Sequence, residues 1–160
     1  MNEDRNSDSL DFLIRETPKT YVLDASVCIK WFSSEDEEYV EKASAIRAQH
    51  RDNKISLAAP DLLVYEITNA LSYNPLFDSE KVNKAIQSLY QMDIKFVKPS
   101  LTLIAEAINL RFLKEITIYD AVYIALARYI NVQCITADRK LFNSINGLNC
   151  VIFLGDYRTG

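Results

Sequence analysis

The stretch Thr117–Ile130 reads as a helix whose apolar residues cover nearly its whole circumference. At about 100° per residue, Ile118, Ala121, Val122, Ile124, Ala125, Leu126, Tyr129 and Ile130 leave only an arc for Asp120, Arg128 and Asn131. A helix of that kind has to be buried, so the rest of the chain must be built around it. Its one acid, Asp120, falls in the first turn. Thr117 and Asp120 have capping-box spacing, and a negative charge there suits the helix dipole. Capping alone would account for Asp120; three further acids give it a second reading.

Along the chain, short apolar runs alternate with helical patterns. Strands are expected at Tyr21–Leu23, Ile55–Ala59, Ile94–Val97, Asn131–Ile135 and Cys150–Phe153. Between them, Ser26–Phe32 reads as a short apolar helix. Ser34 and Glu37 match a capping box for a helix over about 35–51, with Val40, Ala43, Ala45, Ile46 and Ala48 on its inner side. The acidic run Glu35–Glu38 belongs to that helix start. Further helices are expected over 62–71, from Asp78 or Ser79 to about Met92, and over 101–113, the last with Leu103, Ile104, Ala107, Ile108 and Leu110 toward the core. Asp138 would cap a short helix through Phe142. Strands alternating with helices, each strand a continuous apolar run, indicate a three-layer α/β/α sandwich around a mainly parallel five-stranded sheet.

Composition narrows the chemistry by what it lacks. With three glycines in 160 residues and none closely spaced, neither a dinucleotide fingerprint nor a Walker A loop can be written. The one histidine, His50, sits at a polar helix end, so a histidine-based triad or zinc centre is not expected. Cys28, Cys134 and Cys150 form no C-x-x-C pair and read as core residues. The formal charge of −4 argues against a basic surface for nucleic acid. No apolar run is long enough to span a bilayer and the N-terminus has no signal-peptide character, so a cytoplasmic protein without a membrane partner is expected. Residues 1–18 are a polar extension with a weak apolar cluster at Leu10, Phe12, Leu13 and Ile14, and 156–160 form a polar tail around a single domain over 19–155.

Any catalysis must therefore rest on carboxylates. Asp24 and Asp138 each follow a strand directly, the edge where open α/β sheets build their sites. Glu66 projects inside the apolar arc that runs from Leu62 through Leu63 and Ile67 to Leu71, so it needs a cation, a hydrogen-bond partner or a proton. Arg128 or Lys30 is the structural candidate for that partner, and a metal is the functional one. Several acids converging without basic partners make sense around divalent cations, and oxygen-only ligands favour magnesium or manganese. Such a centre suits phosphodiester hydrolysis.

Four segments carry a family resemblance. Val22-Leu-Asp24-Ala-Ser26, Glu66-x-x-Asn69-x-Leu71, Tyr119-Asp120-Ala-Val-Tyr-Ile-Ala-Leu-Ala127 and Ile135-Thr136-Ala-Asp138-Arg-Lys-Leu141 resemble the motifs of the PIN-domain ribonucleases, in particular the VapC-type toxins. The resemblance spans about residues 20–154 in the family's order. It implies strand order 3-2-1-4-5 and a magnesium- or manganese-dependent endoribonuclease acting on RNA. Asp24, Glu66, Asp120 and Asp138 would then form the catalytic, metal-binding centre, Ser26 and Thr136 would support it, and Arg139 would hold the substrate backbone. The resemblance also implies a homodimer and a small antitoxin covering the acidic groove. One departure is Glu115, where many relatives place a glycine before the Tyr-Asp motif. Three other readings fit the same acids: a stand-alone RNA-processing nuclease, a non-catalytic PIN-like binding module, and a receiver-like phosphoacceptor with its acids at strand ends.

Overall fold

The computed structural model describes residues 17–35 and 37–159. The N-terminal extension expected from the sequence lies almost wholly outside these residues. Five strands, β1 (Lys19–Leu23), β2 (Ile55–Pro60), β3 (Lys95–Val97), β4 (Gln133–Thr136) and β5 (Val151–Phe153), form one parallel sheet in the order β3-β2-β1-β4-β5. The helices are α1 (Ala25–Cys28), α2 (Val40–Arg51), α3 (Leu62–Ser72), α4 (Ser79–Tyr90), α5 (Leu101–Lys114), α6 (Ile118–Tyr129) and α7 (Arg139–Ser144), with 3-10 turns at Ile29–Trp31 and Leu154–Asp156.

From β1 the chain steps outward through β2 and β3, then returns to place β4 on the other side of β1. Right-handed crossovers in opposite directions put helices on both faces, which makes the three-layer sandwich. The switch in direction lies between β1 and β4. There Leu23 pairs with Ile135 and the amide of Asp24 donates to the Ile135 carbonyl at 3.0 Å, so the next residues, Asp24 and Thr136, leave the sheet side by side. A receiver-like sheet would run 2-1-3-4-5, so this order overturns that alternative.

The helix read as the centre of the chain is α6. Ala121 to Ala127 are buried without interruption, and α6 packs on β1, β2, β4 and α5. The expectation fails only at the helix end, where Tyr129 is 64% exposed. Thr117 caps it, its Oγ1 accepting from the Asp120 amide at 3.0 Å. Glu115 closes α5 in the left-handed region at φ 55°. That backbone is why a glycine would serve at this position and why the link to α6 can be so short.

Two local expectations are corrected. Helix α2 begins at Val40 rather than near 35, and its N-cap Tyr39 makes no side-chain cap. Glu37 does not complete a capping box with Ser34; its carboxylate accepts from the buried ammonium of Lys30. Tertiary neutralisation of a buried charge outweighs a cap worth about 1 kcal/mol. On α5, Ile108 is 45% exposed rather than inward. Cys28 and Cys134 are buried as expected. The His50 ring lies between the carbonyl oxygens of Met92 (2.7 Å) and Ile55 (3.3 Å), an adhesive role between loops. In the closing polar stretch, Tyr157 is buried, meets Tyr21 edge to face and donates to Gln49 Oε1 at 2.6 Å.

Candidate active site

Four elements bring the predicted acids to the carboxyl edge of the central strands. Asp24 follows β1 and is buried, with only 6% of its surface exposed. Two hydroxyls converge on its Oδ2: Ser26 Oγ at 2.5 Å and Thr136 Oγ1 at 2.9 Å. Ser26 and Thr136 are 3.3 Å apart, and they also accept from the backbone. The Ala137 amide donates to Ser26 Oγ (2.9 Å) and the Asp138 amide to Thr136 Oγ1 (3.1 Å). These contacts lock the loop after β4 to the end of β1. Both hydroxyl residues named from the sequence therefore brace Asp24 across the switch point.

Asp138 caps α7 as expected, its Oδ1 accepting from the Leu141 amide at 2.9 Å. Asp120, in the first turn of α6, accepts at Oδ2 from the Thr117 hydroxyl at 2.8 Å. Glu66 sits on α3 beside the buried stripe of Leu63, Ile67 and Leu71. Its partner is neither Arg128, which is paired with Glu106 at 3.1 Å, nor Lys30, which is paired with Glu37. Glu66 Oε2 instead accepts from the phenol of Tyr123, a nearly buried residue of α6. Sequence reasoning missed Tyr123. The available signal was a tyrosine on the buried face of a helix, whose hydroxyl needs a partner.

The electrostatics tie the four acids together. Burial pushes the Asp24 carboxyl above its ordinary range, the Ser26 and Thr136 hydroxyls pull it back, and the negative charges of Asp120 and Asp138 raise it again. Glu66 is raised by burial and by Asp24 and Asp120, against the lowering effect of the Tyr123 hydrogen bond. Asp120 is raised by burial and by Asp138, against its hydrogen bonds from Thr117. The Tyr123 phenol, raised by burial and by Glu66, stays protonated and remains a donor. Among the described residues, none of the four acids has a cationic partner within salt-bridge distance.

A common pattern runs through these contacts. In each acid, one carboxylate oxygen is held by the protein and the other has no protein partner among the described residues: Asp24 Oδ1, Glu66 Oε1, Asp120 Oδ1 and Asp138 Oδ2. No fully buried side-chain oxygen or nitrogen there lacks a hydrogen bond, so the unheld oxygen of Asp24 reaches solvent although its residue is buried. Carboxylate oxygens without a protein partner are the donor type that hard divalent cations take. Among the described residues, no group of three or more His, Cys, Asp or Glu side chains is arranged to hold a metal ion as it stands.

Arg139 is placed differently from the acids. Its guanidinium lies 3.9 Å from the centre of the Phe153 ring and donates to the Tyr39 hydroxyl at 3.4 Å. It is stacked on the β5 side, next in sequence to Asp138. A concavity of about 600 Å³ between the ends of α2 and α4 is lined by Trp31, Arg47, His50, Arg51 and Met92 and holds none of the four acids.

A parallel α/β sandwich with acids gathered at its switch point defines the class. A model of the PIN domain matches residues 21–148, and the chain belongs to the PIN-domain family. Solved structures share the fold. The toxin–antitoxin complex from Klebsiella pneumoniae aligns with a TM-score of 0.61 at 15% identity, over 84% of this chain and 97% of that one. DNA-bound VapBC from Salmonella typhimurium aligns with a TM-score of 0.64 at 13% identity, covering 85% and 98%. VapC20 from Mycobacterium tuberculosis, a toxin that cleaves the sarcin-ricin loop, aligns with a TM-score of 0.59 at 12% identity, covering 78% and 95%. A search of the curated proteins found no match. No helix among the described residues is long and apolar enough to cross a membrane.

Proposed function

We propose that this protein is a magnesium- or manganese-dependent endoribonuclease and the toxin of a VapBC-like pair. Membership of the PIN-domain family supports a nuclease, and the toxin–antitoxin proteins that share the fold support the type. The observation that carries the reading is the set of four acids, each with one oxygen tethered and, among the described residues, the other without a protein partner and no cation paired to it.

In this reading Asp24, Glu66, Asp120 and Asp138 hold the metal, which supplies charge neutralisation and water activation when bound. The chain's own residues do the positioning. Ser26 and Thr136 aim Asp24 by fixing its Oδ2, Tyr123 aims Glu66, and Thr117 aims Asp120. Burial of α6 fixes the direction in which Asp120 and Tyr123 point. Arg139, stacked beside Asp138, is the cation offered to a substrate phosphate. Water attacks phosphorus in line, leaving a 5′-phosphate and a 3′-hydroxyl. The nuclease domain is assigned to residues 19–155.

A homodimer and a small antitoxin peptide are the partners this reading expects. Apolar surface is available to them on α5, where Leu101, Phe112 and Leu113 are 87%, 76% and 71% exposed. The test is cleavage of RNA by purified protein with manganese. Loss of cleavage with chelator and with Asp24→Asn is expected; cleavage that persists in the variant would overturn the assignment. Growth arrest on expression, relieved by co-expression of a neighbouring gene, tests the toxin reading.

A further inference from the structure

The groove between the ends of α2 and α4 lies at the opposite edge of the sheet from the four acids. His50, Arg51 and Asn53 in its lining lead into β2, and Met92 and Asp93 lead into β3, so it opens at the amino edge. Its apolar lining is Trp31, Ala48 and Met92, all half-buried. The Trp31 ring is pinned by a hydrogen bond from Nε1 to the Ala43 carbonyl at 2.8 Å. The α2 wall is cationic. It carries Arg47 and Arg51 one turn apart, with the Arg47 guanidinium 5.9 Å from the centre of the Trp31 ring. Arg51 is paired with Asp52 at 3.0 Å, whereas Arg47 has no carboxylate within salt-bridge distance among the described residues. Asp93 is the one acid in the lining among those residues.

The same chain carries a segment of matching character. Residues 1–16 lie outside the described residues; their sequence holds five acids against two arginines, with Leu10, Phe12, Leu13 and Ile14 crowded into five positions. Such a segment complements a partly apolar groove with a cationic wall, because the four side chains gain by leaving water and Asp11 gains from nearby guanidinium groups. The connection is short. β1 begins at Lys19, paired with Ile55 across one strand spacing of about 4.8 Å. The Ile55 carbonyl faces the ring of His50, a residue of the groove, at 3.3 Å. The chain therefore enters the fold beside the groove. From Ser44 to Arg51 the α2 wall is about 10 Å long at about 1.5 Å per residue, while the six residues from Leu13 to Lys19 reach about 20 Å when extended. The apolar cluster can lie along the whole groove without any described element moving.

We propose that residues 10–14 dock into the groove of their own chain, covering Trp31 and Met92, with Asp11 set against Arg47 and Arg51. The extension is then a strap across the amino edge, and it leaves the acidic edge open. Docking within one chain is favoured over capture of a second molecule, because the short tether holds the segment at an effective concentration on the order of millimolar, however dilute the protein. The inference is independent of the nuclease reading.

Trp31 is the only tryptophan of the chain, so its fluorescence in the full-length protein reports on the groove alone. In the wild type it should be shielded from acrylamide, and equally so on dilution. Phe12→Ser combined with Leu13→Ser should expose it, seen as a longer emission wavelength and stronger quenching. Returning the two side chains to water lowers the ratio of docked to free segment by about 100-fold or more, about tenfold for each. Asp11→Lys should also reduce the shielding, whereas Asp4→Lys, the same change of charge outside the apolar cluster, should not. Phe112→Ser, at an exposed position of α5 that does not line the groove, should change nothing. Cooperative thermal melts of each variant separate exposure by undocking from exposure by unfolding. Quenching unaltered by Phe12→Ser with Leu13→Ser would overturn the proposal, as would equal effects of Asp11→Lys and Asp4→Lys. Shielding lost on dilution would give the groove to the segment of a second copy and overturn docking within the chain.

Discussion

The phenol of Tyr123, in the middle of the buried helix α6, donates its hydrogen bond to the carboxylate of Glu66 on α3, fifty-seven residues earlier in the chain. Two helices from different crossovers are thereby joined at the acidic edge, and the half-buried Glu66 is satisfied without a cation. Tyr123→Phe keeps the ring but removes the donor. Stability is expected to fall by about 1–2 kcal/mol, the cost of leaving a partly buried acceptor unpaired, as measured by urea denaturation. The hydrogen bond lowers the Glu66 pKa, so its removal should also move the acid limb of the cleavage pH profile upward. An unmoved limb with intact stability would show that the pair has no part in either.

Asp24 is expected to be a residue whose charge opposes folding. Burial and two neighbouring acids raise it, so Asp24→Asn should abolish cleavage yet stabilise the metal-free protein by about 0.5–2 kcal/mol, the usual range where function and stability conflict. Asparagine can still accept from Ser26 and Thr136, whereas Asp24→Ala leaves both hydroxyls without their acceptor and should gain less. Chemical denaturation of the two variants in chelator decides it; equal loss of stability in both would refute the expectation.

The same shifts set a pH dependence. Asp24, Glu66 and Asp120 all have folded pKa values above their unfolded ones, so the native state holds more protons through that range. The stability they contribute is fully present below the unfolded carboxylate values, near 4, and is lost as pH rises through the folded values. Metal-free protein should accordingly lose melting temperature as the pH rises above about 4. Manganese at neutral pH should reverse this, adding about 5–10 °C at a hundredfold excess over its dissociation constant. The gain should vanish in Asp24→Asn. A melting temperature indifferent to manganese would count against the four acids as a metal centre.

Entry into α6 gives two opposite expectations. Thr117→Ala removes an N-cap and a hydrogen bond to Asp120, and should cost about 1 kcal/mol while reducing cleavage. Glu115→Gly relieves a non-glycine residue at φ 55° and should stabilise by about 0.5–1 kcal/mol without loss of activity. Denaturant midpoints with unchanged slopes would establish both signs.

Much of the molecule was legible from the chain because periodicity and caps act locally. The run that made α6 apolar all round foretold its burial at Ala121–Ala127, and Asp78, Thr117 and Asp138 cap the helices expected of them. Local pattern misled where a long-range partner outbid it. Ser34 and Glu37 match a capping box, but Glu37 turns to Lys30, because an unpaired buried ammonium is costlier than an uncapped helix. Ile108 fits the apolar spacing of α5 yet faces out, since periodicity defines a stripe and only packing decides how wide it is.

For the acids the division is sharper. Residue type and position already marked Asp24 and Asp138 as strand-end carboxylates, Glu66 as an acid within an apolar arc and Asp120 as a first-turn acid. Which atoms hold them was decided by the sheet. Order β3-β2-β1-β4-β5 puts the ends of β1 and β4 side by side, so residues 110 and 112 apart in sequence hydrogen-bond around one carboxylate oxygen, and it sets Tyr123 against Glu66. A hydrogen bond is decided by a few tenths of an ångström between groups that share no local spacing, and only the packed tertiary structure supplies that.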